Sequence, residues 1–136
     1  MNILRAAQLA IVALFMATGA SAAEATAPAA QFFVITYATG PAWKPGAPLK
    51  DQGLGPHVGY MTKLRDAHRL FAAGPFPDSD GDKIGMVIVK AASLDEAKDI
   101  MAHDPAMIAG IFTGQVQHWM NAFEAGQAPS AFLAGP

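Results

Sequence analysis

Four strand-like segments are interrupted by two amphipathic segments, in the order strand–helix–strand–strand–helix–strand. That order predicts an α+β fold of ferredoxin-like βαββαβ topology. A second observation extends the prediction to a dimeric α+β barrel. The inner strands are apolar on both faces, with Phe32, Val34, Ile84, Met86 and Ile88 on one parity and Phe33, Ile35, Val87 and Val89 on the other. A sheet face left to water would alternate with polar residues. Two helices cover only one face, so a second copy of the sheet is the economical cover for the other, and a homodimer is expected.

The sequence begins with a short segment, residues 1–5, carrying one positive side chain, Arg5, then an apolar run over residues 6–16 broken only by Gln8, and then the small residues Ala20-Ser21-Ala22. Charged, apolar and small segments in this order form a secretory signature, with cleavage expected after Ala22 or Ala23. A retained membrane anchor is the rival reading, but the run is shorter than the roughly 20 apolar residues a spanning helix needs. The expected organisation is a signal peptide over 1–22, a flexible lead-in over 23–30, one folded domain over 31–124 and a loose tail over 125–136. The expected destination is the bacterial periplasm. The sequence contains no cysteine, which removes lipid attachment and leaves core packing as the source of stability in an oxidising compartment. A formal net charge of −2 without a basic patch argues against nucleic acid as a partner. Beyond the signal segment no run is apolar enough to enter a membrane.

Residues 31–37, rich in aromatic and β-branched side chains, read as the first strand. Residues 40–55 hold Trp43 among prolines and glycines and read as a long loop. Pro56 suits the first turn of a helix running to about Arg69. Its apolar stripe comprises Tyr60, Met61, Leu64 and Ala67, and both His57 and His68 fall within it. Residues 70–73 form a short strand stopped by Gly74-Pro75, and residues 78–82 form a polar turn whose spacing does not fit a calcium loop. The clearest central strand is 84–90. Ser93 and Glu96 form a capping box opening a second helix, with Leu94, Ala97, Ile100 and Met101 on its buried side. Asp104-Pro105 ends it. An apolar turn over 106–111 leads to a last strand over 115–123.

Walker loops, zinc boxes, nucleophile elbows and dinucleotide fingerprints are absent from the sequence, so no cofactor is expected. His57, His68, His103 and His118 lack metal-ligand spacing, leaving a site assembled in space as the only route to a metal. His57 stands out. In the first turn of its helix, on the sheet-facing side, the positive end of the helix dipole favours a neutral ring able to accept a proton. The alternative is a histidine satisfying a local hydrogen bond. His68 reads as structural or partly exposed, and His103 lies on the polar side of its helix. His118 shares a parity with Val116 and Met120, while Trp119 faces the other way with Gln117 and Asn121; either set could line a pocket.

Gly55-Pro56-His57 at a helix start, residues 71–75 after it, then residues 93–97 and Asp104-Pro105 followed by Ala109-Gly110, together resemble the YCII-related family over residues 32–123. The resemblance implies a small dimeric α+β barrel whose active site is a histidine–aspartate pair. The motif positions carry that pair to His57 and Asp104. Asp104 also has a structural reading, as a helix stop before proline. Two functions follow as expectations. One is a cofactor-free lyase or isomerase in which His57 moves a proton on a small, aromatic substrate while Asp104 orients it. The other is a dimeric module that binds a small ligand without turnover.

Overall fold

The computed structural model describes residues 30–78 and 82–123. The expected signal segment, most of the lead-in, the tip of the polar turn and the C-terminal tail lie outside the described residues. Four antiparallel strands, β1 (Gln31–Thr39), β2 (Leu70–Pro75), β3 (Lys83–Ala91) and β4 (Phe112–Trp119), form one sheet in the order β2-β3-β1-β4. The α-helices are α1 (Gly55–Asp66), α2 (Leu94–Ala102) and the one-turn α3 (Pro105–Ile108), and a single 3-10 turn, Leu49–Asp51, lies in the loop before α1. The ferredoxin-like α+β fold is therefore present, with α3 added where the sequence suggested a turn. No helix among the described residues is long and apolar enough to cross a membrane.

Alternation sorts the sheet into two faces. Phe33, Ile35, Tyr37, Val87 and Val89 are buried on the helical side, packed with Met61 and Leu64 of α1 and Ala97 and Ile100 of α2. The other face has no helical cover among the described residues. A bulge between Leu70 and Ala72 places Phe71 beside Phe32 and Trp119, with ring centroids 5.1 and 6.2 Å away. Phe71 remains 44 % exposed.

Helix ends depart from the sequence reading for identifiable reasons. α1 stops at Asp66 rather than near Arg69. His68 takes a left-handed conformation with φ 56°, while the N–H groups of His68 and Arg69 donate to the carbonyls of Arg65 and Leu64 at 2.9 and 2.8 Å. This paired closure satisfies the terminal carbonyls and leaves Ala67 and His68 exposed outside the stripe. Gly110, with φ 69°, closes α3 in the same way, through its own N–H to Met107 and that of Ile111 to Ala106. The chain can then enter β4 at Phe112, three residues before the expected start. Gly114 fits inside that strand because a Cβ there would lie 2.8 Å from Met101 Sδ.

Two smaller corrections concern β2 and α2. Gly74 and Pro75 continue β2 instead of ending it, which an edge strand tolerates because one side needs no ladder donor. Leu94 is 39 % exposed at the first position of α2 and lies outside its buried stripe. The Ser93 cap does form, its Oγ accepting from Glu96 N–H at 3.1 Å. Glu96 reaches one residue further back than a capping box requires, accepting from Ala92 N–H at 2.6 Å while pairing with Arg69.

The loop over residues 40–54 is ordered by one buried side chain. Gln52 accepts from Lys44 N–H at 2.9 Å and donates to the carbonyls of Lys44 and Ala47 at 2.8 and 3.0 Å. The loop's first turn is docked by Gly40 and Ala42, whose N–H groups donate to Ile111 and Gly110 carbonyls at 2.8 and 2.9 Å. A Cβ on Gly40 would lie 2.3 Å from the Gly110 oxygen, so only glycine permits this approach. Gly40→Ala should cost about 1–3 kcal/mol through backbone displacement. Urea unfolding would measure it, and an unchanged midpoint would contradict the docking.

Candidate active site

Three elements converge on one buried carboxylate. Asp104 has no exposed side-chain surface and its Oδ2 lies 2.8 Å from His57 Nδ1. The Tyr37 hydroxyl donates to the same oxygen at 2.7 Å. Oδ1 accepts from Ala106 N–H at 2.9 Å, which also caps α3. Tyr37 comes from the buried parity of β1, His57 from the first turn of α1, and Asp104 from the residue before Pro105, where the proline enforces extended backbone; its ψ is 123°.

The protonation pattern follows from these contacts. Burial alone would push the Asp104 carboxyl up, but the hydrogen bonds from His57, Tyr37 and Ala106 outweigh it and hold the group below its ordinary value. Burial, the adjacent Asp104 charge and the bond to it push the Tyr37 phenol far above the usual range. Tyr37 therefore stays protonated and donates. An ionised Asp104 accepts only, so the short contact to His57 assigns the proton to Nδ1 and leaves the Nε2 lone pair available.

His57 is 16 % exposed and borders an apolar pocket of ≈ 220 Å³. Its ring is held edge-on against Tyr37 and Phe112, at centroid distances of 5.8 and 5.2 Å. Trp43 stacks behind Phe112 at 6.2 Å, while Leu49 and Leu54 of the loop and Ile84 of β3 complete the apolar wall. The arrangement can accept a proton at Nε2, hold the resulting imidazolium beside a fixed negative charge, and exclude water from part of the reaction volume.

The structure thus brings His57 and Asp104 together from positions 47 residues apart. The other histidines lie elsewhere. His68 is exposed beyond α1. His103 ends α2, its Nδ1 2.7 Å from the Asp99 carbonyl. His118 rests on Phe33 with centroids 5.2 Å apart, while Trp119 joins the aromatic group on the open face, so neither borders the pocket. Among the described residues no group of three or more His, Cys, Asp or Glu converges as metal ligands. Sequence reasoning missed Tyr37. The available signal was its parity with Phe33 and Ile35, since a phenol placed in a core needs a partner for its hydroxyl.

A carboxylate with a lowered folded-state pKa contributes stability above its unfolded value of about 3.9, and that contribution is lost as pH falls through the folded value. Thermal unfolding midpoints should therefore fall below about pH 4. Removing one donor with Tyr37→Phe should move this loss to higher pH and cost about 1.5–3 kcal/mol near neutrality, as expected for a bond to a charged group. Identical pH–stability curves for the two proteins would contradict the assigned network.

Comparison with known proteins agrees with this architecture. The solved structure of 5-chloro-2-hydroxyhydroquinone dehydrochlorinase from Burkholderia phenoliruptrix, in complex with 2,5-dihydroxybenzoquinone, superposes with a TM-score of 0.51. The two share 22 % identity, and the match covers 65 % of this chain and 93 % of the other. That likeness is one of fold. No curated protein matches the sequence. The model of the YCII-related domain matches residues 31–119, well over half the chain, and the protein belongs to the YCII-related family.

Proposed function

We propose that the protein is a cofactor-free lyase or isomerase in which His57 transfers a proton on a small, aromatic substrate. The observation that carries this reading is the 2.8 Å contact between His57 Nδ1 and the fully buried Asp104, beside an apolar pocket. In the proposed step the Nε2 lone pair takes a proton from a substrate C–H or O–H. The released electron pair moves into the substrate's conjugated system. Return of the proton from imidazolium to a different carbon gives isomerisation; if the released pair forms a new double bond while a leaving group departs with its own bonding pair, the result is elimination. Asp104 orients the ring and offsets its new positive charge without taking the proton, the division of labour known for buried aspartates behind catalytic histidines. The dehydrochlorinase activity named for the structural neighbour supports an elimination of this type. With residues 1–22 read as an export signal, the proposed setting is the periplasm.

The proposed assembly is a homodimer formed through the open face of the sheet. Its support is the group of Phe32, Phe71 and Trp119 on a face without helical cover. Sedimentation of the wild type should give a dimer, and Phe71→Glu should shift it to monomer. A monomeric wild type would overturn this assignment.

Catalysis can be tested with a panel of candidate substrates. Small enolisable and phenolic compounds, 5-chloro-2-hydroxyhydroquinone among them, would be incubated with protein in D₂O and followed by NMR for deuterium uptake or chloride release. His57→Ala should lower the rate by about 10²–10⁴, the usual contribution of a positioned base, with the fold intact. A variant that turns over at the wild-type rate would exclude His57 as the base. If turnover is absent from the wild type and ligands still bind, the domain is a binding module.

A further inference from the structure

The charge balance around His57 narrows what the pocket can take. Tyr37 and His57 are the only lining side chains with hydrogen-bonding groups, and no Lys or Arg lines the pocket among the described residues. The Tyr37 hydroxyl is committed to Asp104. Both Asp104 oxygens already accept from protein donors. With Nδ1 tied to Asp104, the group that His57 offers a ligand is Nε2, which is an acceptor while the ring is neutral. An incoming carboxylate or phosphate would meet an acceptor, an apolar wall and the fixed negative charge of Asp104. Stripping water from an anion is strongly unfavourable where the lining side chains offer no cation or donor in return, and the like charge adds to that cost in a medium less polar than water. The positive end of α1 offsets only part of it, and Arg65 lines a separate pocket on the other side of His57.

We propose that this pocket selects uncharged compounds about the size of one substituted six-membered ring and turns away carboxylates and phosphates; the inference rests on the proton-transfer reading above. The size limit comes from volume. A dry cavity of about 150 Å³ holds benzene, and ≈ 220 Å³ leaves room for a ring with a few small substituents. The charge rule also serves the reaction. A neutral substrate becomes an anion only as His57 becomes an imidazolium, so the ion pair is created in the transition state instead of being present on binding. Interactions that appear only there accelerate the chemical step.

Benzamide and benzoate have the same size and shape and differ in charge. Titrating each into isotope-labelled wild-type protein near neutral pH, with NMR shifts of the pocket residues as readout, gives both affinities. Benzamide should bind about tenfold or more tightly than benzoate, a factor resolved by any such titration. Equal or tighter binding of benzoate would overturn the proposal. In folded Asp104→Asn the preference should shrink or invert, and an unchanged preference there would exclude the Asp104 charge as its source. Should that variant fail to fold, the wild-type comparison still decides. Binding is read without turnover, so a preference for benzamide in a protein that never exchanges a proton sinks the proton-transfer reading alone. Turnover confined to anionic compounds would sink the charge rule alone.

Discussion

A carboxylate with no solvent exposure dominates this domain. An ion so placed is strongly destabilising unless its oxygens are occupied, and here a phenol from β1, an imidazole from α1 and a backbone N–H from α3 occupy them. The requirement to satisfy Asp104 therefore ties three chain segments to one point. The same requirement fixes the tautomer and orientation of His57. Structural necessity and chemical readiness arise from one set of hydrogen bonds, so perturbing any donor affects both.

The surrounding frame exists to hold that point. Pro105 keeps Asp104 extended while opening α3, and Gly110 closes α3 after one turn so that Phe112 can enter β4 edge-on to the histidine ring. Gly40 lets the long loop approach the Gly110 carbonyl. Gln52 gives the loop an internal anchor, which places Leu49 and Leu54 on the pocket wall. A loop with this many prolines and glycines is thereby a defined wall of the site.

Local signals carry much of this fold in the sequence. Continuous runs of aromatic and β-branched residues mark β1 and β3, and the Ser93–Glu96 pattern marks the start of α2. Both depend on neighbours a few residues apart. The left-handed closure at His68 and the one-turn α3 are less legible, because a histidine is an uncommon residue for that conformation and a four-residue helix has no period to detect. β4 begins earlier than its sequence suggests, because the space that Gly114 leaves for Met101 is visible only once α2 is packed on the sheet. The pairing of His57 with Asp104 comes from family resemblance, since no local pattern connects residues in different helices. Tyr37 is visible only as a core strand residue, and its hydroxyl's partner lies 67 positions away.

The central claim is that ionised Asp104 keeps the proton of neutral His57 on Nδ1 and leaves Nε2 free. Ring ¹⁵N shifts of His57, recorded by long-range heteronuclear NMR at a pH where the imidazole is neutral, report this tautomer directly. The expected result is a protonated, pyrrole-type Nδ1 and an unprotonated, pyridine-type Nε2. The reverse pattern, with the proton on Nε2, would contradict it.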